Sequence, residues 1–114
     1  MQLDRTFAAL SDPTRRAILA RLASGEATVT QLRALSRISQ PAMSRHLKVL
    51  EEAGLIEARV AGQSRPRALK AEALTPARDW LEDVRAAFEQ TYARLDALLA
   101  EMQDAPPNQT GDDT

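Results

Sequence analysis

Residues 39–56 read SQPAMSRHLKVLEEAGLI, and this stretch predicts a short amphipathic helix that turns straight into a strand. Ser39 is a residue type favoured at the N-cap, and Pro41 fits the first turn of a helix. Gly54 favours the end of the helix, because glycine readily adopts the left-handed conformation that closes many helices. The stretch therefore predicts a helix with a capping residue at each end, followed by extended chain.

This helix is the fourth that the sequence predicts, and its two faces differ in chemistry. Successive residues of a helix are about 100° apart, so Met43, Leu47 and Leu50 form one apolar stripe. The opposite face is polar or cationic and carries Gln40, Pro41, Ser44, Arg45 and Lys48. Glutamine can pair with adenine, arginine with guanine, and serine with either base. An ordinary surface helix has the same kind of polar face. The flanking elements therefore decide between a DNA-binding helix and a solvated surface helix.

Two short helices are predicted near the N-terminus. The first covers Leu3–Leu10, and the second covers Pro13–Ala23 with Asp12 as its N-cap. The second helix is expected to bury one apolar face, formed by Ile18, Leu19 and Leu22.

A third helix is predicted just before the fourth. Thr28 and Val29 are expected to form a very short strand, Thr30 to cap the helix, and Leu32 and Leu35 to be buried. A tight turn then leads into the fourth helix. Two short helices joined in this way are the arrangement with which many proteins enter the major groove of DNA.

A β-hairpin is predicted after the fourth helix. Its strands are Leu55–Ala61 and Arg65–Leu69, and residues 62–64 form a polar tip. Arg65 and Arg67 alternate along the second strand, so both should project from one face. Such a pair can bind phosphates or enter a minor groove. Two solvated arginines remain the alternative.

The last predicted element is a long helix over residues 75–102, with apolar residues at three- and four-residue spacing. This stripe is too long for one small domain to cover, and the first helix offers a matching surface. The sequence therefore predicts a homodimer whose interface contains Leu3, Phe7, Leu10, Trp80, Val84, Phe88, Tyr92 and Leu95. We expect one folded domain over residues 1–103 and a disordered tail over 104–114, which has little to bury.

Charge is unevenly distributed along the 114 residues. Residues 1–70 contain 12 Lys or Arg and 6 Asp or Glu, whereas residues 71–114 contain 3 and 10. A basic first part suggests a polyanionic partner. Together with the fourth helix, this distribution favours double-stranded DNA.

Composition argues against several other functions. The chain has no cysteine and a single histidine, His46, so thiolate and imidazole metal sites are not expected. His46 is expected to make a structural hydrogen bond or a phosphate contact. No glycine-rich phosphate loop or convergent acid pair is visible, so neither an enzyme nor a cofactor is predicted. No signal peptide or membrane-spanning run is visible, and a cytoplasmic location is expected.

Four segments in this order resemble the ArsR-type winged helix-turn-helix repressors, the arsenical- and metal-responsive repressor family of bacteria. The matching segments are Leu10–Leu19, Val29–Leu32, Ser39–Leu50 and Ala53–Ile56. The resemblance implies a mainly α fold with a small β-hairpin as the wing, and a long C-terminal dimerisation helix. It also implies that the fourth helix enters the major groove, with Gln40, Pro41, Ser44 and Arg45 at the base-reading positions.

The chain departs from the metal-sensing members of that family. The third helix has no cysteine, and the last helix has no histidine beside its acids. The resemblance therefore implies the metal-independent branch: a homodimeric repressor, which could repress its own gene, bound to an inverted-repeat operator. Whether it has a small-molecule effector is left open. The alternatives are another winged-helix regulator of the multidrug-repressor type, or a winged-helix module that binds protein rather than DNA.

Overall fold

The computed structural model describes residues 2–104, which divide between Arg78 and Asp79 into two compact units. Its elements are α1 (Gln2–Leu10), α2 (Pro13–Leu22), α3 (Val29–Arg33), α4 (Gln40–Glu52), β1 (Ile56–Ala58), β2 (Arg67–Leu69), a 3-10 turn (Ala71–Leu74) and α5 (Thr75–Asp104). The predicted mainly α fold with one small hairpin is confirmed. The predicted tail lies outside the described residues, apart from Asp104, which ends α5.

The apolar core of the first unit collects one face of each helix and the start of the hairpin. Its buried side chains are Ala9, Ile18, Leu19, Leu22, Ala27, Leu32, Met43, Leu47, Leu50, Ala53, Leu55 and Ile56. The predicted buried faces of α2 and α4 are therefore confirmed. Burial of these side chains is the main source of stability, since each fully buried Leu or Ile contributes about 1.5–3 kcal/mol.

The third helix differs from the prediction at both ends. Thr28, not Thr30, is its N-cap: the Thr28 hydroxyl accepts from the Gln31 N–H at 3.2 Å, and Gln31 Oε1 accepts from the Thr28 N–H at 2.9 Å. Because the helix starts and ends earlier, Leu35 lies in the turn beyond it and is 58% exposed, whereas Leu32 is 1% exposed. The strand expected at Thr28 and Val29 is replaced by a single bridge between Ala27 and Arg67.

The end of α1 is closed by side chains from α2. Arg15 Nε donates to the carbonyl of Ala9 at 2.8 Å, and an Arg16 guanidinium N–H donates to the carbonyl of Leu10 at 2.7 Å. A second Arg15 N–H reaches the carbonyl of Ala8 at 3.2 Å. The last carbonyls of a helix have no partner inside it, so these two arginines satisfy them and fix α1 against α2.

The hairpin is shorter than predicted. β1 and β2 pair antiparallel, with Ile56 opposite Leu69 and Ala58 opposite Arg67. Pro66 precedes β2 and has no N–H to donate, so regular pairing stops there. Beyond that point, the N–H of Arg59 donates to the carbonyl of Pro66 at 2.8 Å, and an isolated bridge joins Ala61 and Ser64 at the tip.

The second unit contains the rest of α5, a helix with one apolar and one charged side. The side chains of Trp80, Leu81, Val84, Phe88, Tyr92, Leu95, Leu98, Leu99 and Met102 are all exposed, by 45–65%. On another side, Arg85 pairs with Glu82 and Glu89, which raises the pKa of Arg85, mainly through its hydrogen bond with Glu82. The predicted apolar stripe is thus present and uncovered in a single chain.

Leu32 and Leu35 offer a matched test of the corrected third helix. Leu32→Ala should lower the free energy of unfolding by about 2–5 kcal/mol, because it leaves a cavity in the core. Leu35→Ala should change it by less than about 0.5 kcal/mol, because that side chain is largely in solvent. Urea unfolding followed by circular dichroism, at one fixed protein concentration, measures both. Equal losses for the two variants would mean that the third helix extends to Leu35 after all.

Candidate nucleic-acid interface

The recognition helix candidate, α4, is anchored at both ends. Ser39 is its N-cap as predicted, and its hydroxyl accepts from the Ala42 N–H at 3.2 Å. At the other end Ala53 is the cap residue, and Gly54 follows with a φ of 77°, a value that favours glycine. The Gln2 side chain donates to the carbonyl of Ala53 at 2.6 Å. The orientation of α4 is therefore set by contacts at its ends as well as by its core face.

The outward face of α4 gathers five of the predicted DNA-binding residues. Met43, Leu47 and Leu50 are 0–2% exposed on the inner side. All of the predicted contact residues of this helix are exposed: Gln40, Pro41, Ser44, Arg45 and Lys48. Within residues 2–104, none of their side chains makes a hydrogen bond or ion pair. Their polar groups are thus available to an external partner, and bidentate pairing of arginine or glutamine with a base edge requires this.

The tip of the hairpin is a tight turn with the exposed side chain of Arg65 beside it. Ala61 and Ser64 exchange two backbone hydrogen bonds of 3.1 Å, and Gly62 between them has a φ of 63°. Arg65 follows this turn; its side chain is exposed and has no hydrogen bond or ion pair with any other described residue. Arg65 stands before β2 rather than in it, so the expectation that Arg65 and Arg67 share one strand face is wrong. Pro66, between them, ends the regular pairing.

Arg67 is held inside the first unit. Its Nε donates to Glu51 Oε2 at 2.8 Å, and the two side chains are 17% and 33% exposed. Another guanidinium N–H donates to the carbonyl of Arg65 at 2.6 Å. Arg67 therefore connects the last turn of α4 to the hairpin. Its predicted phosphate contact stays a prediction, and the structure gives this side chain a different set of partners.

His46 lies where α1, α2 and α4 meet. An Arg15 guanidinium N–H lies 3.2 Å from His46 Nδ1, and a carboxylate oxygen of Asp12 lies 3.8 Å from the same atom. Because arginine can only donate, Nδ1 acts as the acceptor in this contact. The backbone N–H of Arg15 donates to the Asp12 carboxyl and lowers its pKa. The expected structural hydrogen bond of His46 is confirmed.

Sequence reasoning missed two kinds of residue at this surface. Arg15 and Glu51 position α4 and the hairpin through contacts 31 and 16 residues away in the chain, and no local pattern marks either of them. Arg33 and Arg37, at the end of α3 and in the following turn, are exposed and lack ion-pair partners within residues 2–104. The basic composition of residues 1–70 was the one available signal for these arginines.

No group of three His, Cys, Asp or Glu side chains among residues 2–104 is arranged to hold a metal ion. No described helix is long and apolar enough to cross a membrane.

The chain matches a family model and two characterised bacterial proteins. The family model described as a helix-turn-helix domain matches residues 10–59. The chain is 41% identical over 92 residues to Rv2034, an HTH-type transcriptional regulator of Mycobacterium tuberculosis, covering 81% of this chain and 86% of the relative. It is 34% identical over 79 residues to the transcriptional repressor SdpR of Bacillus subtilis, covering 69% of this chain and 88% of the relative.

Solved structures show the same architecture. The crystal structure of an ArsR family transcriptional regulator, RHA00566, matches with a TM-score of 0.71 at 37% identity, covering 78% of this chain and 98% of that one. The solution structure of a homodimeric winged helix-turn-helix DNA-binding domain from Mycobacterium bovis matches with a TM-score of 0.61 at 26% identity, covering 79% and 83%. This chain therefore belongs to the ArsR family of winged helix-turn-helix transcriptional regulators.

Proposed function

We propose that this regulator is a homodimeric repressor that binds an inverted-repeat operator and reads it with α4. The observation that carries the proposal is the outward face of α4. Its polar side chains have no partner within residues 2–104, while its opposite face is fixed in the core. A rigid helix with free donors is what base readout in the major groove requires.

The free side chains divide into two roles. Gln40, Ser44 and Arg45 lie in the N-terminal half of α4, the part of a recognition helix that reaches deepest toward the bases. The second role is contact with phosphates, and we assign it to Lys48, one turn later, and to Arg65 beside the hairpin tip. Phosphate contacts add affinity without sequence preference. A module that binds proteins would favour an apolar or acidic face here, and Arg45 and Lys48 argue against it.

A second copy of the chain is the proposed partner of α5. Phe88 and Leu95 are 60% and 50% exposed on a stripe that runs along this helix. A two-fold dimer would bury the stripes of both copies against each other and place the two α4 helices about 34 Å apart, one turn of DNA. The homodimeric relative from Mycobacterium bovis supports this assembly. A contribution from Leu3, Phe7 and Leu10 stays a prediction; Leu10 packs against the core of its own unit.

Repression is proposed because a dimer bound over a promoter excludes other proteins from the same DNA. One curated relative, SdpR, is named a transcriptional repressor. The proposed place of action is the cytoplasm, where bacterial DNA lies. The family assignment favours an ArsR-type repressor over a regulator of the multidrug-repressor type.

Metal-independent control is the last part of the proposal. The chain has no cysteine, and its one histidine is engaged by Arg15 at the junction of α2 and α4. Transition-metal sensors need thiolate or imidazole ligands, and carboxylates alone suit calcium or magnesium. Control would then come from the amount of the protein or from an organic effector.

Arg45→Ala tests base readout. It should weaken binding to the best duplex selected from random DNA by about 1–3 kcal/mol and relax the preference at one base pair per half-site. Arg94→Ala, which removes an equal charge from an exposed position of α5, is the control and should leave that preference unchanged. Repeating the selection with each variant and sequencing the bound DNA measures both effects. An unchanged sequence preference for Arg45→Ala would place the reading face elsewhere.

Phe88→Glu and Gln90→Glu test the dimer. Both introduce a carboxylate, but the two positions lie about 200° apart around the helix, so only the first falls on the apolar stripe. Phe88→Glu should give a monomer at micromolar concentration and weaken binding to the two-half-site duplex, because burying an unpaired carboxylate is costly. Gln90→Glu should remain dimeric. Sedimentation equilibrium decides, and a Phe88→Glu protein that stays dimeric would contradict the proposed interface.

Metal titration tests the absence of metal sensing. Zinc, cadmium and arsenite, each added to the protein bound to its selected duplex, should leave the fluorescence anisotropy of the DNA unchanged below the concentrations that precipitate protein. Magnesium serves as a control for general ionic effects on binding. Release of the DNA by one equivalent of zinc per protomer would contradict the proposal and indicate a carboxylate-rich site.

A further inference from the structure

Arg67 lies where three parts of the first unit meet. Its backbone exchanges two hydrogen bonds with Ala27, before α3, at 2.7 and 3.0 Å. Its side chain donates to Glu51 in the last turn of α4 at 2.8 Å, and to the carbonyl of Arg65 at 2.6 Å. One residue thus joins the recognition helix, the segment before α3 and the chain that carries Arg65.

We propose that Glu51 and Arg67 are positioning residues for the hairpin's contact with the DNA backbone. Glu51 orients the Arg67 guanidinium, and the guanidinium in turn holds the carbonyl of Arg65. The Arg65 side chain is thereby kept at a set distance from the reading face of α4. This inference rests on the proposed DNA-binding function and assigns the geometry of its wing contact.

The partners of Arg67 argue against a direct role for it at the DNA. Its side chain is only 17% exposed, and two of its N–H groups are already engaged within the chain. A phosphate would have to compete with a carboxylate at 2.8 Å, where the hydrogen bond is strengthened by charge on both partners. Arg65, by contrast, is exposed and has no side-chain partner among the described residues.

The arrangement also explains why arginine stands at position 67. A guanidinium presents several N–H donors in a rigid planar fork, so one side chain can bind Glu51 and the Arg65 carbonyl at once in a defined geometry. A lysine ammonium is a flexible point charge without that fork. Lysine at position 67 would preserve attraction to phosphate but not the two-point link. A positioning role for Arg67 and a direct contact of Arg67 with phosphate therefore predict different results for Arg67→Lys.

Glu51→Ala and Glu52→Ala form a matched pair for the test. Both remove one negative charge from the end of α4, which by itself should strengthen DNA binding, but only Glu51 touches Arg67. Each is combined with Arg65→Ala, and binding to the selected duplex is measured over a salt series. A double-mutant cycle of this kind isolates the coupling between two positions from their separate effects.

The expected result is a loss of the Arg65 contribution only where the link is broken. Arg65→Ala should weaken binding about tenfold in the wild-type and Glu52→Ala backgrounds and lower the salt slope by about 0.9. In the Glu51→Ala background it should weaken binding less than about threefold and leave the slope nearly unchanged. Arg67→Lys should behave as Glu51→Ala does. Circular dichroism and urea unfolding confirm that every variant is folded at the temperature of the assay.

Three outcomes would overturn the inference. One is an equal effect of Arg65→Ala in the Glu51→Ala and Glu52→Ala backgrounds. Another is normal behaviour of Arg67→Lys together with a reduced salt slope for Arg67→Ala, which would make Arg67 a direct phosphate contact. The third is an Arg65→Ala variant that binds like wild type. In each case a retained effect of Arg45→Ala would show that DNA reading by α4 stands, so the two failures are distinguishable.

Discussion

Burial of the apolar stripe of α4 is the constraint on which the rest of the structure depends. Met43 and Leu50 are fully buried and Leu47 nearly so, and these three side chains leave the helix one rotational setting in the core. That setting decides which side chains face outward. A slip of one residue would turn the helix by about 100° and remove Arg45 from the exposed side. The hydrophobic core thus determines the chemistry of the surface.

Arginine side chains make many of the hydrogen bonds that hold the helices and the hairpin of the first unit together. Arg15 and Arg16 satisfy the last carbonyls of α1, and Arg15 also reaches His46 on α4. Arg67 links α4 to the hairpin. The first unit is rich in arginine, and these residues fall into two groups. Some are held by carbonyls and carboxylates, while Arg45 and Arg65 have no such partner among residues 2–104. Net charge alone does not separate the groups, because both contribute equally to it.

The long helix α5 poses a different energetic problem. Its apolar stripe remains about half exposed in a single chain, with Trp80 at 48% and Leu98 at 53%. Soluble monomers rarely leave large contiguous apolar surfaces in water. Assembly with a second copy is the simplest way to bury the stripe, and in a two-fold dimer the same contact would set the distance between two recognition helices. Stability and DNA-site spacing would then be linked through one interface.

What the sequence determined by itself is the set of features encoded by neighbouring residues. Ser39, Pro41 and Gly54 marked the ends of α4, and the spacing of Met43, Leu47 and Leu50 identified its inner face, because caps and helical periodicity are local properties. The same locality misled the prediction at α3. Thr28 and Thr30 are both good caps, and the choice between them came from Gln31, whose side chain completes the capping box at Thr28. The error of two residues placed Leu35 in the core, where it does not lie.

Only the tertiary structure decided which charged side chains are free. Glu51 and Arg67 are 16 residues apart, and Arg15 and His46 are 31 residues apart. No local sequence pattern predicts that the two members of each pair are in contact. Arg65 and Arg67 look alike in the sequence, yet Pro66 ends the strand between them and Glu51 engages only one. The free or engaged state of a cation depends on which groups the fold brings within hydrogen-bond distance, and that is a property of packing rather than of local pattern.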